Sequence, residues 1–497
     1  MTLPDEPPVP SLGQSAARGA AVTLAGQGGR IAIQVVSVVV LSRLLTPHDY
    51  GLLAMVLTII GVGEIFRDFG LSSAAIQSPR LSRGQRDNLF WINTGIGAVL
   101  TAIVALLAPL VADFYGEPEL VDLVRVLSLT FLINGMTTQY RADRNRALKF
   151  SVLAGSDILA AGLGLIAAVA AALAGWAYWA LAVQQLVGCL VGLIVVVASA
   201  RWLPRLPRRG EPMRGLLRFG WHMVGTQLIG YVSNNIDSVL IGFRFGAGQL
   251  GIYNRGFQLL MQPLGQLRSP TTRVALPILS RLNNDDERYA AFIVRGQQAL
   301  GYTLVAGLGV VIATATPLTA ILLGPQWQAV VPILQLLAAA GIFQTLAYVG
   351  YWVYISRGLT GDLFRYTLLS SGIKVVCIVA GSFFGIVGVA AGYALGPAIA
   401  WPISIAWLSR RTSLPTRRLY VQAFRMLAVV AVSAAAGWGV TVALASAPTV
   451  VALIAGIAGV LLVYAIAALL IRPVRRDVIA VVSLLRLLPS LRRGRPA

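Results

Sequence analysis

Apolar blocks close to twenty residues long succeed one another along almost the whole chain, separated by short polar stretches rich in arginine. About twenty apolar residues, rising 1.5 Å each, are what a helix needs to cross the hydrocarbon core of a bilayer. Strands do not use such long continuous runs, and the alternating pattern of a β-barrel is absent. The pattern predicts about fourteen crossing helices. They fall at 21–43, 51–75, 89–112, 119–139, 151–174, 177–199, 219–242, 249–280, 296–322, 328–355, 362–383, 386–408, 424–444 and 450–471. The expected class is an all-α polytopic membrane protein. Composition agrees: 57% of the 497 residues are hydrophobic, 12% are charged, and the mean hydropathy is +0.76. The start, "PDEPPVP", lacks the basic region and short apolar core of a cleavable signal peptide, so none is expected.

The charges orient the helices. Alternate loops are strongly basic, from Arg80, Arg83 and Arg86, through Arg201–Arg218, to Arg410–Arg425 and the tail beyond Arg472. The opposite loops offer only Arg43 and Arg244, and one is acidic, with Asp113, Glu117, Glu119 and Asp122. Basic loops stay in the cytoplasm, so both termini are expected there. The net charge of +21 therefore reads as topology and anionic-lipid contact, not nucleic-acid binding. The chain divides into a cytoplasmic segment 1–20, an N-lobe 21–201, a basic linker 202–218, a C-lobe 219–408, a basic loop 409–423, two further helices 424–471 and a tail 472–497. The tail mixes Val and Leu with Arg and reads as an amphipathic helix on the inner leaflet.

A faint internal repeat joins the lobes. "LSRLLTPHDYGLLAM" matches "IGFRFGAGQLGIYNR" with Gly51 on Gly251, and "GWAYWALA" from Gly175 matches "GIVGVAAG" from Gly385. Six helices per copy is an even number, so the copies are parallel, as in transporters that rock two lobes about a central site.

Ionisable residues lie inside the apolar segments, where each costs about 2.5–3.5 kcal/mol at a helix centre. They are Arg30, Glu64, Arg67, Asp68, Asp157, Asp237, Arg255, Arg268, Arg273 and Lys374. At 1.5 Å per residue, Arg30 and Arg67 lie roughly 14 and 12 Å from the cytoplasmic face. Arg268 and Lys374 lie nearer the midplane, and Arg255 and Asp237 toward the outside. Glu64 is three residues from Arg67 and four from Asp68, so all share a helix face. Internal pairing is one reading, Glu64 with Arg67 and Arg30 with Asp68. It serves Arg268 and Lys374 less well, since no acid lies near them in sequence. The other reading is a cationic cavity for an anionic, phosphate-bearing ligand, lined by Arg30, Arg67, Arg255, Arg268, Arg273 and Lys374, with Glu64 and Asp68 holding Arg67. "YVSNNIDSVLIG" places Asn234, Asn235 and Asp237 together, for interhelical hydrogen bonds or for a coupling Na⁺ or proton. Pro263, Pro270 and Pro277 mark curvature or a hinge, and Gly388, Gly392 and Gly396 mark close packing.

No catalytic signature, metal-ligand spacing or paired-cysteine site occurs; Cys189 and Cys377 sit alone in apolar runs, and His48 and His222 are isolated. The expectation is a non-enzyme without a cofactor, beyond a possible coupling ion.

The stretches "SRLLTPHDYGLLAMVLTI", "FRDFGLSSAAIQ" and "FGWHMVGTQLIGYVSNNIDSVLIGFRFGAGQLGIYNRGFQL" resemble the polysaccharide-exporter branch of the MOP flippase superfamily, the Wzx-type flippases. The resemblance spans the first twelve segments. It implies two six-helix lobes in a V with two extra C-terminal helices, and alternating access in the cytoplasmic membrane. It implies export of an undecaprenyl-pyrophosphate-linked oligosaccharide for O-antigen, capsule or exopolysaccharide synthesis, alongside membrane lipids and the pathway's polymerase and glycosyltransferases. It also implies cavity-lining cations in the helices that here carry Arg30, Arg67 and Arg255. A multidrug extruder of the same superfamily and a non-transporting membrane scaffold are the alternatives.

Overall fold

The computed structural model describes residues 12–68, 82–200, 202–207 and 214–491. Expectations for 1–11, the end of segment 51–75, Arg80, Arg201, Arg208, Arg209 and 492–497 lie outside the described residues. All regular structure among the described residues is helical. The helices of the first half are α1 (Leu12–Leu44), α2 (Pro47–Asp68), α3 (Arg83–Tyr115), α4 (Leu120–Arg146), α5 (Phe150–Leu173), α6 (Trp179–Ser199) and the long α7 (Arg214–Arg281). Then follow α8 (Asp286–Leu300), α9 (Ala306–Leu322), α10 (Val330–Ser356), α11 (Thr360–Gly381), α12 (Gly385–Ser409), α13 (Thr416–Ala443), α14 (Thr449–Leu470) and α15 (Arg472–Leu491). A π-turn at Gly301–Val305 joins α8 to α9. Ten stretches of described residues are long and apolar enough to cross a membrane. One of them holds both α11 and α12, and α1 and α7 are not among the ten. The predicted segments fall on these helices, and the protein is a multi-span membrane protein.

Local chemistry sets the ends. In "TPHD", the Thr46 hydroxyl and the Asp49 carboxylate each accept from the other's backbone N–H, at 3.3 and 2.8 Å, with Pro47 at the first helical position. Ser82 and Gln85 form the same box at the start of α3, with both bonds at 3.0 Å. Within α7 the one non-helical residue is Gly246, at φ 77° and ψ 178°. It separates the two segments predicted at 219–242 and 249–280. The Ala247 N–H donates to Glu117 Oε1 at 3.3 Å, and Glu117 also lies 3.5 Å from His48 Nε2. All three prolines of α7 sit in continuous helix, so they act as curvature while the break falls at the glycine.

Two compact units divide the chain, Met1–Gly251 and Ile252–Ala497. In the first unit the early part of α7 meets α2: Tyr231 Oη donates to the Thr58 carbonyl at 3.0 Å, and Gly61 lies against the Tyr231 ring. The repeat is visible in this unit as a reciprocal contact. A Cβ on Gly51 would fall on the Ala247 carbonyl, and one on Gly251 on the Pro47 carbonyl. Gly51 and Gly251, like Pro47 and Ala247, are 200 residues apart, so each contact is the other with the two copies exchanged, which is what a self-complementary pairing of repeated segments produces. Helix pairing recurs too: α3 with α4, α5 with α6 and α4 with α6 in the first unit, and α9 with α10, α11 with α12 and α10 with α12 in the second.

In the second unit α11 and α12 touch backbone to backbone through Gly381, Gly388 and Gly392, so the glycine stripe is a packing device. The amphipathic tail helix α15 packs onto protein. Val474, Asp477 and Val481 are buried on one face, and Asp477 accepts from Gln298, Tyr302 and Arg425, on α8, the π-turn and α13. Arg472, Arg475, Arg476 and Ile479 stay exposed. Each unit also has a clamp at its arginine-rich end. In the first, Asp143 pairs with Arg144 at 2.5 Å and Arg86 at 3.4 Å, and Arg86 lies 4.1 Å over the Trp202 ring. In the second, Arg357 pairs with Asp286 at 2.5 Å and lies 4.2 Å over Tyr289, while Ser413 donates to Asp286.

Candidate functional site

In the first unit, Glu64 holds Arg67 as the helical spacing predicts: Arg67 Nε donates to Glu64 Oε2 at 2.6 Å. Two residues of α4 complete the network. Arg67 Nη1 donates to Thr138 Oγ1 at 2.5 Å, and Asn134 Nδ2 donates to Glu64 Oε1 at 2.9 Å. The Arg67 side chain keeps 11% exposure. The charge is thus largely satisfied internally, and only Nη2 is left without a partner among the described residues.

Arg30 is exposed on α1 and makes no ion pair with Asp68. Helix α1 packs on α5 through Gly26 and Gly29, and that packing fixes which face of α1 Arg30 occupies. Asp157 pairs with Arg141 at 2.9 Å. Of Asn234, Asn235 and Asp237, Asn235 stands apart. Asp237 is 2% exposed, Asn234 is exposed, and Asn235 donates to the Tyr231 carbonyl of its own helix at 2.9 Å. Two residues apart on a helix is roughly 200° of rotation, so Asn235 and Asp237 face opposite ways.

In the second unit the cations separate into three places. Arg255 is 4% exposed and donates to Gln258 Oε1 on its own helix at 3.0 Å. Thirteen residues at 1.5 Å put it roughly 20 Å along α7 from Arg268, too far for both to share one phosphate. This removes Arg255 from a common site. Arg273 is exposed, about a turn and a half beyond Arg268.

Arg268 and Lys374 are brought together by one ring. Lys374 Nζ lies 5.8 Å from the centre of Tyr393, and Tyr393 is also an electrostatic neighbour of Arg268. Arg268 Nη2 donates to Gln344 Oε1 at 3.2 Å, and the guanidinium lies 5.6 Å over Tyr348. Tyr348 in turn accepts from Thr272 at 2.9 Å, and Phe257 packs edge-on to Tyr393. Arg268 thus has an amide oxygen, the Leu264 carbonyl at 3.4 Å and a π face around it, all neutral groups that stabilise positive charge weakly. The five acidic residues of this unit are Asp285, Asp286, Glu287, Asp362 and Asp477. Asp285 caps α8, Asp286 holds Arg357, Asp362 holds Trp407 and Arg411, and Asp477 holds the tail.

Sequence reasoning missed Asn134, Thr138, Gln344, Tyr348 and Tyr393. The first three carry a usable signal, a polar side chain inside an apolar segment. The tyrosines carry none, since an aromatic in a membrane helix reads as packing. Asp87, 1% exposed at the start of α3, was hidden because its neighbours Arg83 and Arg86 read as a loop.

Residues 40–332 match the model of a family described as polysaccharide biosynthesis protein. The chain is 27% identical over 375 residues to the lipopolysaccharide biosynthesis protein WzxC of Escherichia coli (strain K12), covering 73% of this chain and 75% of that one. It is 28% identical over 338 residues to the teichuronic acid biosynthesis protein TuaB of Bacillus subtilis (strain 168), covering 66% and 68%. Its fold is similar to that of the lipid II flippase MurJ in an inward closed conformation, with a TM-score of 0.67 at 13% identity over 90% of this chain and 98% of that one. The family match spans more than half of the sequence, and the chain belongs to this family of polysaccharide biosynthesis proteins.

Proposed function

We propose that the protein is a flippase that moves undecaprenyl-pyrophosphate-linked oligosaccharide from the inner to the outer leaflet of the bacterial cytoplasmic membrane by alternating access, for assembly of a surface polysaccharide. Family membership and the MurJ-like fold support this reading, and one observation carries it. Arg268 stands within an apolar stretch of α7 against Gln344 and the Tyr348 ring, and Lys374 stands within α11, 5.8 Å from the centre of the Tyr393 ring. Positive charge in such a place is expensive unless an anion or water meets it. A diphosphate supplies that anion: the planar guanidinium donates two hydrogen bonds to it and the ammonium adds a point charge. Arg67, already held by Glu64, is a fixed donor of the first unit through Nη2. An extruder of cationic drugs would need the opposite sign of charge, and a scaffold would need no cations within its apolar helices.

The arginine-rich loops support a placement with both termini in the cytoplasm. The polymerase and glycosyltransferases of the same pathway are the partners this role implies. Buried Asp237 is the group we assign to a coupling proton or Na⁺. The test is the double variant Arg268→Gln/Lys374→Gln. With wild-type protein levels in the membrane, it should make the host accumulate lipid-linked glycan on the cytoplasmic leaflet and lose surface polymer. The charge-keeping pair Arg268→Lys/Lys374→Arg should retain partial export. Unchanged surface polymer in the Gln pair would contradict the reading.

A further inference from the structure

The second unit carries a groove of about 680 Å³ between α11 and α12. Arg365 stands at one end, Leu368, Gly372 and Val376 form the floor, Cys377 lies at the far end, and Ile399 is the α12 wall. From Arg365 to Cys377 is roughly 18 Å at 1.5 Å per residue, close to the depth of one leaflet of a hydrocarbon core about 30 Å thick. Leu368 is 61% exposed, Val376 67% and Ile399 44%, so the groove faces outward from the unit.

Two features make it more than ordinary lipid-facing surface. Gly372 has nothing within 4 Å of where a Cβ would stand, so no close packing requires a glycine there. Glycine in a helix interior is unfavourable relative to alanine. What the missing side chain provides is the depth of the groove. The second feature is the charge. Asp362, one turn before Arg365, is turned toward α12, accepting from Trp407 Nε1 at 3.1 Å and facing Arg411 at 3.7 Å. Arg365 forms no ion pair among the described residues. A single cation at the basic end of an apolar channel one leaflet long matches a lipid with a negatively charged head.

We infer that this groove is a binding site for one anionic phospholipid of the inner leaflet, with its phosphate on Arg365 and an acyl chain laid along Leu368, Gly372 and Val376 to Cys377. The site is separate from Arg268 and Lys374 and does not depend on what they hold.

Native mass spectrometry of the full-length protein in mild detergent, titrated with phosphatidylglycerol or phosphatidylcholine, tests it. Wild type should retain one phosphatidylglycerol in preference to phosphatidylcholine. Arg365→Gln should weaken retention about tenfold, the scale of one charge-assisted hydrogen bond. Gly372→Phe, which fills the channel, should abolish it, whereas Gly372→Ala and Arg365→Lys should keep it. Excess inorganic phosphate should not displace the lipid. The Arg268→Gln/Lys374→Gln variant should bind it as wild type does, which keeps this result independent of the transport reading. Equal retention of both lipids, or undiminished phosphatidylglycerol binding by monodisperse Arg365→Gln or Gly372→Phe, would overturn the assignment. So would displacement of phosphatidylglycerol by an undecaprenyl phosphate, which would make the occupant the carrier lipid.

Discussion

Arg67 and Arg268 both sit within apolar helices, but their surroundings differ in kind. Arg67 has a carboxylate at 2.6 Å and a hydroxyl at 2.5 Å, while Arg268 has an amide oxygen at 3.2 Å and an aromatic face. Glu64→Gln should therefore cost about 1–3 kcal/mol, because it strips a partly buried charge of its partner. A lower unfolding temperature in detergent checks this, with Arg268→Gln expected at or above the wild-type value. An unchanged temperature for Glu64→Gln would mean that the pair contributes nothing. The Glu64–Arg67 contact was legible in the sequence because three-residue spacing puts two side chains on one helix face. The surroundings of Arg268 were not, since Gln344 and Tyr348 come from a helix 76 and more positions away. Arg30 with Asp68 and Asn235 with Asp237 show the limits of the same reasoning. Proximity in sequence or depth does not fix the direction in which a side chain leaves its helix.

Among the elements, close helix contacts are made where glycines let backbones meet, and the pairing of Gly51 with Ala247 and Gly251 with Pro47 is the tightest test of the internal repeat. Gly51→Val should destabilise the protein by at least about 1–3 kcal/mol, the scale of overpacking, since the obstacle is a carbonyl and not a flexible side chain. Gly95→Ala on α3, with open space around it, should be neutral or stabilising; thermal unfolding of the two variants side by side reads the difference. The helices themselves were legible from apolar length, because a bilayer demands about twenty residues whatever the packing. The Gly51–Gly251 alignment was legible for the same reason the contact exists, since both positions exclude any side chain. The docking of the tail was not. Amphipathicity identifies a face that must be covered, and Asp477 shows that protein, through Gln298, Tyr302 and Arg425, does the covering.

At the scale of the whole molecule, the class of protein follows from hydropathy and the polysaccharide biosynthesis family from residues 40–332. The meeting of Tyr231 and Ala247 with α2 was not legible, because such contacts leave no mark on composition. The central claim is that Arg268 and Lys374 hold the diphosphate of a lipid-linked glycan. The direct measurement is the lipid that copurifies with the protein, identified by native mass spectrometry from cells making the polysaccharide. The account predicts a polyprenyl-pyrophosphate-linked oligosaccharide on the wild type and its loss from Arg268→Gln/Lys374→Gln. A wild type that carries no such lipid, or a double variant that carries it equally, would contradict it.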